Sequence, residues 1–147
     1  MDALTDTLRD KLELATVNRA VRVLLLAAAS ACALAHSQST GPTEAKGSST
    51  KSLGSFDLAT EIEGLSGRQL RARLVTIEPG GHVAAHSHKD RPTMEYVVQG
   101  SVIEIRNGVE IPRTAGEMVM ATREVTHWWE NRGSIPVVLL PVDIYKP

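Results

Sequence analysis

A single cysteine, Cys32, excludes an intrachain disulfide framework. Aromatic residues make up 3% of the 147 positions, and the two tryptophans stand together beside one histidine. Neither sign of charge dominates, with 16 Lys and Arg against 17 Asp and Glu. There is therefore no basic stripe with interleaved aromatics, and nothing supports a nucleic-acid partner. The chain also lacks a phosphate-cradling glycine loop, a nucleophile elbow, a cysteine cluster and any internal repeat. Its longest apolar run falls short of the roughly 20 residues that cross a bilayer, which makes a permanent membrane span the weaker reading. What is left is a length that builds one core and not two.

The front of the chain has the layout of an export signal. Arg19 and Arg22 precede the apolar run from Val23, which ends in the small-x-small triplet Ala33-Leu34-Ala35. Residues 1–35 are read as a signal peptide, with cleavage leaving His36 first and an exported, periplasmic or secreted, protein. The alternative is an N-terminal helix of a cytoplasmic protein, because Leu4, Leu8, Leu12 and Ala15 recur at helical spacing. Ala29-Ser30-Ala31-Cys32 is a loose match to a lipoprotein signal. Residues 36–55 turn to Ser, Thr, Gly, Lys and Gln, too polar to bury surface, and predict a disordered linker.

The folded part, 56–147, reads as all-β. Arg71-Ala72-Arg73-Leu74-Val75-Thr76-Ile77 alternates and meets Pro79-Gly80-Gly81, a turn signal. Residues 94–99 are apolar and β-rich and close on Gly100, and 102–106 run into Asn107-Gly108, a hairpin pair. Residues 137–144 form the last strand, where Pro141 predicts an edge or a bulge. Short strands at regular intervals predict a small sandwich or jelly-roll barrel.

Three histidines carry the chemistry. His86 and His88 flank Ser87, and strand alternation sends both imidazoles to one face. His127, in Thr126-His127-Trp128-Trp129, can complete a metal site from a distant strand. Imidazole suits Zn, Cu, Fe and Ni, so the triad predicts one divalent transition metal without choosing it. The competing reading is a metal-free barrel with hydrogen-bonded histidines.

The spacing of these residues is similar to that of the cupin superfamily, whose barrel is a double-stranded β-helix. Gly80 is followed by five residues, His86-Ser87-His88, four residues, Thr93, six residues and Gly100. This is the family's first motif, with threonine where a metal-binding glutamate is usual. Gly116, five residues on Thr122-Arg123-Glu124, then His127 and Asn131 resemble the second motif, with Thr122 and Glu124 replacing its proline and glycine. The chain looks most like the small single-domain cupins called quercetin-dioxygenase-like.

The resemblance implies His86, His88 and His127 as ligands of Fe, Mn, Zn, Ni or Cu. With Thr93 a poor ligand, either open positions remain or another carboxylate substitutes. Glu95 shares the strand face of Thr93. The family places apolar residues at the positions of Val102, Glu104 and Arg106, which implies that Glu104 points into the barrel, with Arg106 a partner on the same face. Glu104 or Glu95 is thus the candidate fourth ligand or general acid/base. Alternatively, Glu104 and Arg106 are an exposed pair of little worth. Arg91 is a candidate for an anionic substrate, and one of Trp128 and Trp129 for the cavity wall, with Trp128 assigned to substrate. The implied function is a metal-dependent oxygenase or isomerase of a small organic molecule. A non-catalytic, exported small-ligand or metal-binding barrel is the alternative. Family members commonly pair through sheet edges, so a homodimer is expected.

Overall fold

The computed structural model describes residues 41–147, so the signal or helix reading of 1–35 and the first part of the linker lie outside the described residues. Among the described residues there are strands and no helix. The strands are β1 (Lys46–Asp57), β2 (Gln69–His82), β3 (His86–Ser87), β4 (Thr93–Gln99), β5 (Ser101–Arg106), β6 (Val109–Thr114), β7 (Met118–Ala121), β8 (Thr126–Glu130) and β9 (Val137–Tyr145). They form one antiparallel sheet in the order β6-β5-β8-β2-β9-β4-β7, with β1 added to β2 and β3 to β8. The sheet curls into the expected barrel.

Three sequence expectations change. The polar run taken as a linker is, from Lys46 on, strand β1, paired with β2 from Lys46↔His82 to Asp57↔Gln69. Its residues are almost all exposed. An outer strand held by main-chain hydrogen bonds needs no apolar side chains, so its composition hid it. The Pro79-Gly80-Gly81 signal does not end β2. It marks an irregularity where the strand leaves its β9 partner and pairs with β8 at His82↔Glu130. Gly80 has φ 72° there, and a Cβ on Gly81 would stand 2.7 Å from the carbonyl oxygen of Gly47. Pro141 lies in a strand flanked on both sides. The β2–β9 ladder breaks between Ala72↔Val142 and Val75↔Leu139, and Pro141, which has no N–H, falls in that gap. The Asn107-Gly108 turn is as expected, with φ 49° and 83°.

Alternation sorts the barrel along its axis. Ile77, Val97, Val102, Val119, Trp129, Val137 and Leu139 form the buried apolar cluster. Each fully buried aliphatic side chain contributes about 1.5–3 kcal/mol. Toward the other end, the inward positions of three neighbouring strands turn polar at the same level. β4 changes from Val97 to Glu95 and Thr93, β9 from Leu139 to Asp143, and β2 from Ile77 to Arg73 and Arg71. Register aligns them, with Thr93↔Asp143 and Arg71↔Asp143 beside Val97↔Leu139 and Ile77↔Val137. The site is built at this polar end.

Candidate metal centre

β3 lies against β8 with His86 opposite His127. That pairing joins the two motifs, about forty residues apart in sequence. His88 follows at the end of β3 and is buried, as are His127 and Glu95. One ligand atom from each of His86, His88, Glu95 and His127 lies within 4.8 Å of the others. Ligand distances near 2.1 Å place the donors of one six-coordinate ion roughly 3 to 4.2 Å apart, so the group needs only a small contraction around an ion.

The outer nitrogens fix which atoms face the centre. His86 Nδ1 is 2.9 Å from the Ala84 carbonyl oxygen, His88 Nδ1 is 2.9 Å from that of Arg91, and His127 Nδ1 is 2.8 Å from Glu104 Oε1. Carbonyls and carboxylates only accept, so each Nδ1 carries the proton and each Nε2 presents a lone pair inward. His88 Nε2 and His127 Nε2 then face each other at 2.9 Å. Two lone pairs at that distance repel unless a cation lies between them. Glu95 Oε2, 3.7 Å from His127 Nε2, is buried without a hydrogen-bond partner among the described residues. A buried oxygen of this kind is costly unless something positive meets it. The donor set therefore fits a divalent transition ion.

Electrostatics agree. Burial pushes the His86 and His88 imidazoles down to about 4, which keeps them neutral and able to ligate. Burial pushes the Glu95 carboxyl up, partly opposed by His127, Arg91 and Arg73. This is the behaviour of a carboxylate lacking its counter-charge.

The two candidate carboxylates have different places. Glu95 belongs to the donor group. Glu104, fully buried, sits behind His127 on the Nδ1 side. Its Oε1 also accepts from Arg106 Nε at 2.7 Å, and its Oε2 accepts from Arg113 Nε and Nη2 at 3.0 Å each. Burial raises its carboxyl, but hydrogen bonds from His127 and Arg106 outweigh this and hold it at about 2. Glu104 is thus a permanently ionised group that orients His127, and the pair with Arg106 is not an exposed one. Thr93 faces inward as its motif position requires. Its hydroxyl donates to the Arg91 carbonyl at 2.9 Å and lies 2.8 Å from His88 Nδ1. The hydroxyl supports a ligand, and the carboxylate comes from two residues further along the same face.

The Arg91 side chain reaches toward Asp143, with Nη1 3.7 Å from Oδ2. Trp129, rather than Trp128, shares the His127 face, its ring centroid 5.3 Å from the imidazole. Trp128 is on the other face of β8, edge-on to His82 at 6.2 Å and against Gly41. Alternation from His127 decides this. Asn131 is buried and ties the strand end down, its Nδ2 donating to the carbonyls of Ile77 and Ile135 at 2.9 Å each.

Sequence reasoning passed over Arg113, Arg71, Arg73 and Asp143. Arg113 is recognisable only through the β5–β6 register. The other three left a trace, because Arg71 and Arg73 share a face and Asp143 interrupts an apolar strand.

The family model described as "Cupin domain" matches residues 73–145. The chain is 29% identical over 98 residues to the tetracenomycin polyketide synthase protein TcmJ of Streptomyces glaucescens, covering 67% of this chain and 62% of that protein. A crystal structure of a cupin-superfamily sugar phosphate isomerase from Silicibacter pomeroyi matches with a TM-score of 0.54 and 26% identity, over 69% of this chain and 61% of that one. The polyketide cyclase RemF of Streptomyces resistomycificus shares the fold at a TM-score of 0.55 and 21% identity, over 71% of this chain and 68% of that one. This chain thus spans about three-fifths of the length of the first two relatives.

Proposed function

This chain belongs to the cupin superfamily, and on that premise we propose that it is a metal-dependent enzyme acting on a small organic molecule. The reaction class proposed is non-oxidative isomerisation or cyclisation, and the ligands are His86, His88, Glu95 and His127. The observation that carries the reading is the pair of inward Nε2 lone pairs at 2.9 Å beside the unpartnered Glu95 oxygen. A divalent ion held by these four side chains would supply Lewis-acid polarisation of a substrate carbonyl. The chain's own part is to fix the three imidazoles through Ala84, Arg91 and Glu104 and to close the far end of the barrel with Trp129 and its apolar neighbours. The printed name of one relative, a sugar phosphate isomerase, favours isomerisation over oxygenation.

Two further parts belong to the same proposal. Export rests on Arg19, Arg22 and the apolar run that follows them. A homodimer is favoured by the outer face of β4 and β7, where exposed Met94 and Tyr96 lie opposite exposed Met120 and Met118.

The test is metal content of the full chain by plasma mass spectrometry, beside a His86→Ala, His127→Ala double variant and Glu95→Gln. Roughly one ion per chain is expected, lost in the double variant and weakened in Glu95→Gln. No ion after reconstitution with iron, manganese, nickel, copper and zinc overturns the enzyme reading.

A further inference from the structure

A second constellation lies beside the donor group and is not used by it. Asp143 is fully buried, and three guanidinium groups converge on it. Arg71 Nε and Nη2 donate to its two oxygens at 3.0 and 2.9 Å, Arg73 Nη2 donates at 3.0 Å, and Arg91 Nη1 stands 3.7 Å away. One carboxylate cannot neutralise three guanidiniums, and Arg73 Nε is buried without a hydrogen-bond partner among the described residues. The three side chains keep 18–26% of their surface exposed, so the surplus of positive charge is open to an anion arriving from solvent.

Arg71 and Arg91 also line a cleft of about 900 Å³. Arg68, Lys89 and Lys146 line it too, so that five cationic side chains face one acidic one, Asp90. Ordinary surface cations spread apart and stay mobile; two of these are held. Arg71 is fixed bidentately on Asp143 and stacks over the Tyr145 ring at 3.8 Å, and Arg68 Nη1 donates to the Asp90 carbonyl at 2.7 Å. Guanidiniums held in place before binding lose less entropy when they meet an anion. Ser87, between the two ligand histidines, is part of the same lining, and the Arg91 carbonyl accepts from His88 Nδ1. The loop from His86 to Thr93 is thus common to the cleft and the donor group.

We propose that this cleft binds the dianionic phosphate monoester of the substrate and holds the rest of the molecule toward the donor group. With Arg71 paired to Asp143, four cations still face Asp90, more than a single carboxylate needs, which is why a dianion is assigned. The word substrate rests on the enzyme reading above; the anion site itself does not.

The test uses the full chain freed of metal with a chelator. Isothermal titration calorimetry with inorganic phosphate is compared with acetate and chloride at matched ionic strength. Saturable phosphate binding at least tenfold tighter than either is expected. Arg91→Gln, which keeps the main-chain carbonyl that orients His88, should weaken it at least tenfold. Lys89→Gln with Lys146→Gln, at the rim, should weaken it about threefold, as two exposed charges are worth little each. Circular dichroism and metal content of each variant are measured in parallel. Phosphate binding no tighter than chloride, or unchanged in both well-folded variants, overturns the proposal. Acetate equal to phosphate overturns the dianion assignment. Phosphate bound normally by a protein that takes up no metal would defeat the enzyme reading and leave the anion site standing.

Discussion

Glu104→Gln separates an orienting carboxylate from a ligand or a spectator. The side chain is fully buried, and its two oxygens accept four hydrogen bonds, from His127 Nδ1, Arg106 Nε, and Arg113 Nε and Nη2. Glutamine is nearly the same shape but replaces one accepting oxygen with an amino group. Whichever way the amide turns, that group meets donors: the two from Arg113, or those from His127 and Arg106. Breaking one partner of a buried ion pair costs about 3–5 kcal/mol. Here both arginine side chains are 24% exposed and can turn to water, so the expected loss of folding stability is lower, about 2–3 kcal/mol. Removing the oriented acceptor from a ligating histidine weakens metal binding about 10–100-fold, equivalent to about 1.4–2.7 kcal/mol. Competition against a chromophoric chelator reads the affinity, and urea unfolding of the metal-free protein reads the stability. Arg113→Gln is the companion, since it removes two of the four bonds and leaves His127 on Glu104. It should lower stability without changing metal affinity. Glu104→Gln with wild-type metal affinity and a retained fold would refute the orienting role.

Three other outcomes are expected. Asn131→Ala removes donors to the Ile77 and Ile135 carbonyls and an acceptor for the Gly133 N–H, and should cost about 3 kcal/mol in urea unfolding; a loss near zero would refute its role as a tie. Acidification should destabilise the metal-free protein between pH 6.5 and 4. His86 and His88 are held down to about 4 in the folded state, so the unfolded chain takes up their protons first and stability falls as pH falls through that window. Glu95, pushed up by burial, acts in the opposite sense but is one group against two; a urea midpoint that rises on acidification would contradict the burial of the pair. Met120→Glu, at a side chain 64% exposed on β7, should give monomers in sedimentation velocity with metal content unchanged, and a persistent dimer would place the interface elsewhere.

Much of the barrel is legible in local pattern. Residues 94–99 belong to a strand that alternates because one face is buried, and Asn107-Gly108 takes the two positive φ angles that a tight hairpin needs. β1 escaped because an outer strand held by its main chain leaves no apolar trace. The bulge at Gly80 escaped because a turn and a strand irregularity use the same residues.

The sequence by itself determined the three histidines, the common face of His86 and His88, and the common face of Thr93 and Glu95, since these follow from a period of two. Only the tertiary structure decided which carboxylate meets the imidazoles. The sequence left Glu95 and Glu104 as equal candidates, and both prove to be buried. The pairing of β5 with β8 puts Glu104 on the Nδ1 side of His127, and closure of the barrel through β2, β9 and β4 brings Glu95 to its Nε2 side. It alone also gathered Arg71, Arg73 and Arg91 on Asp143, because strands far apart in sequence become neighbours only when the sheet closes.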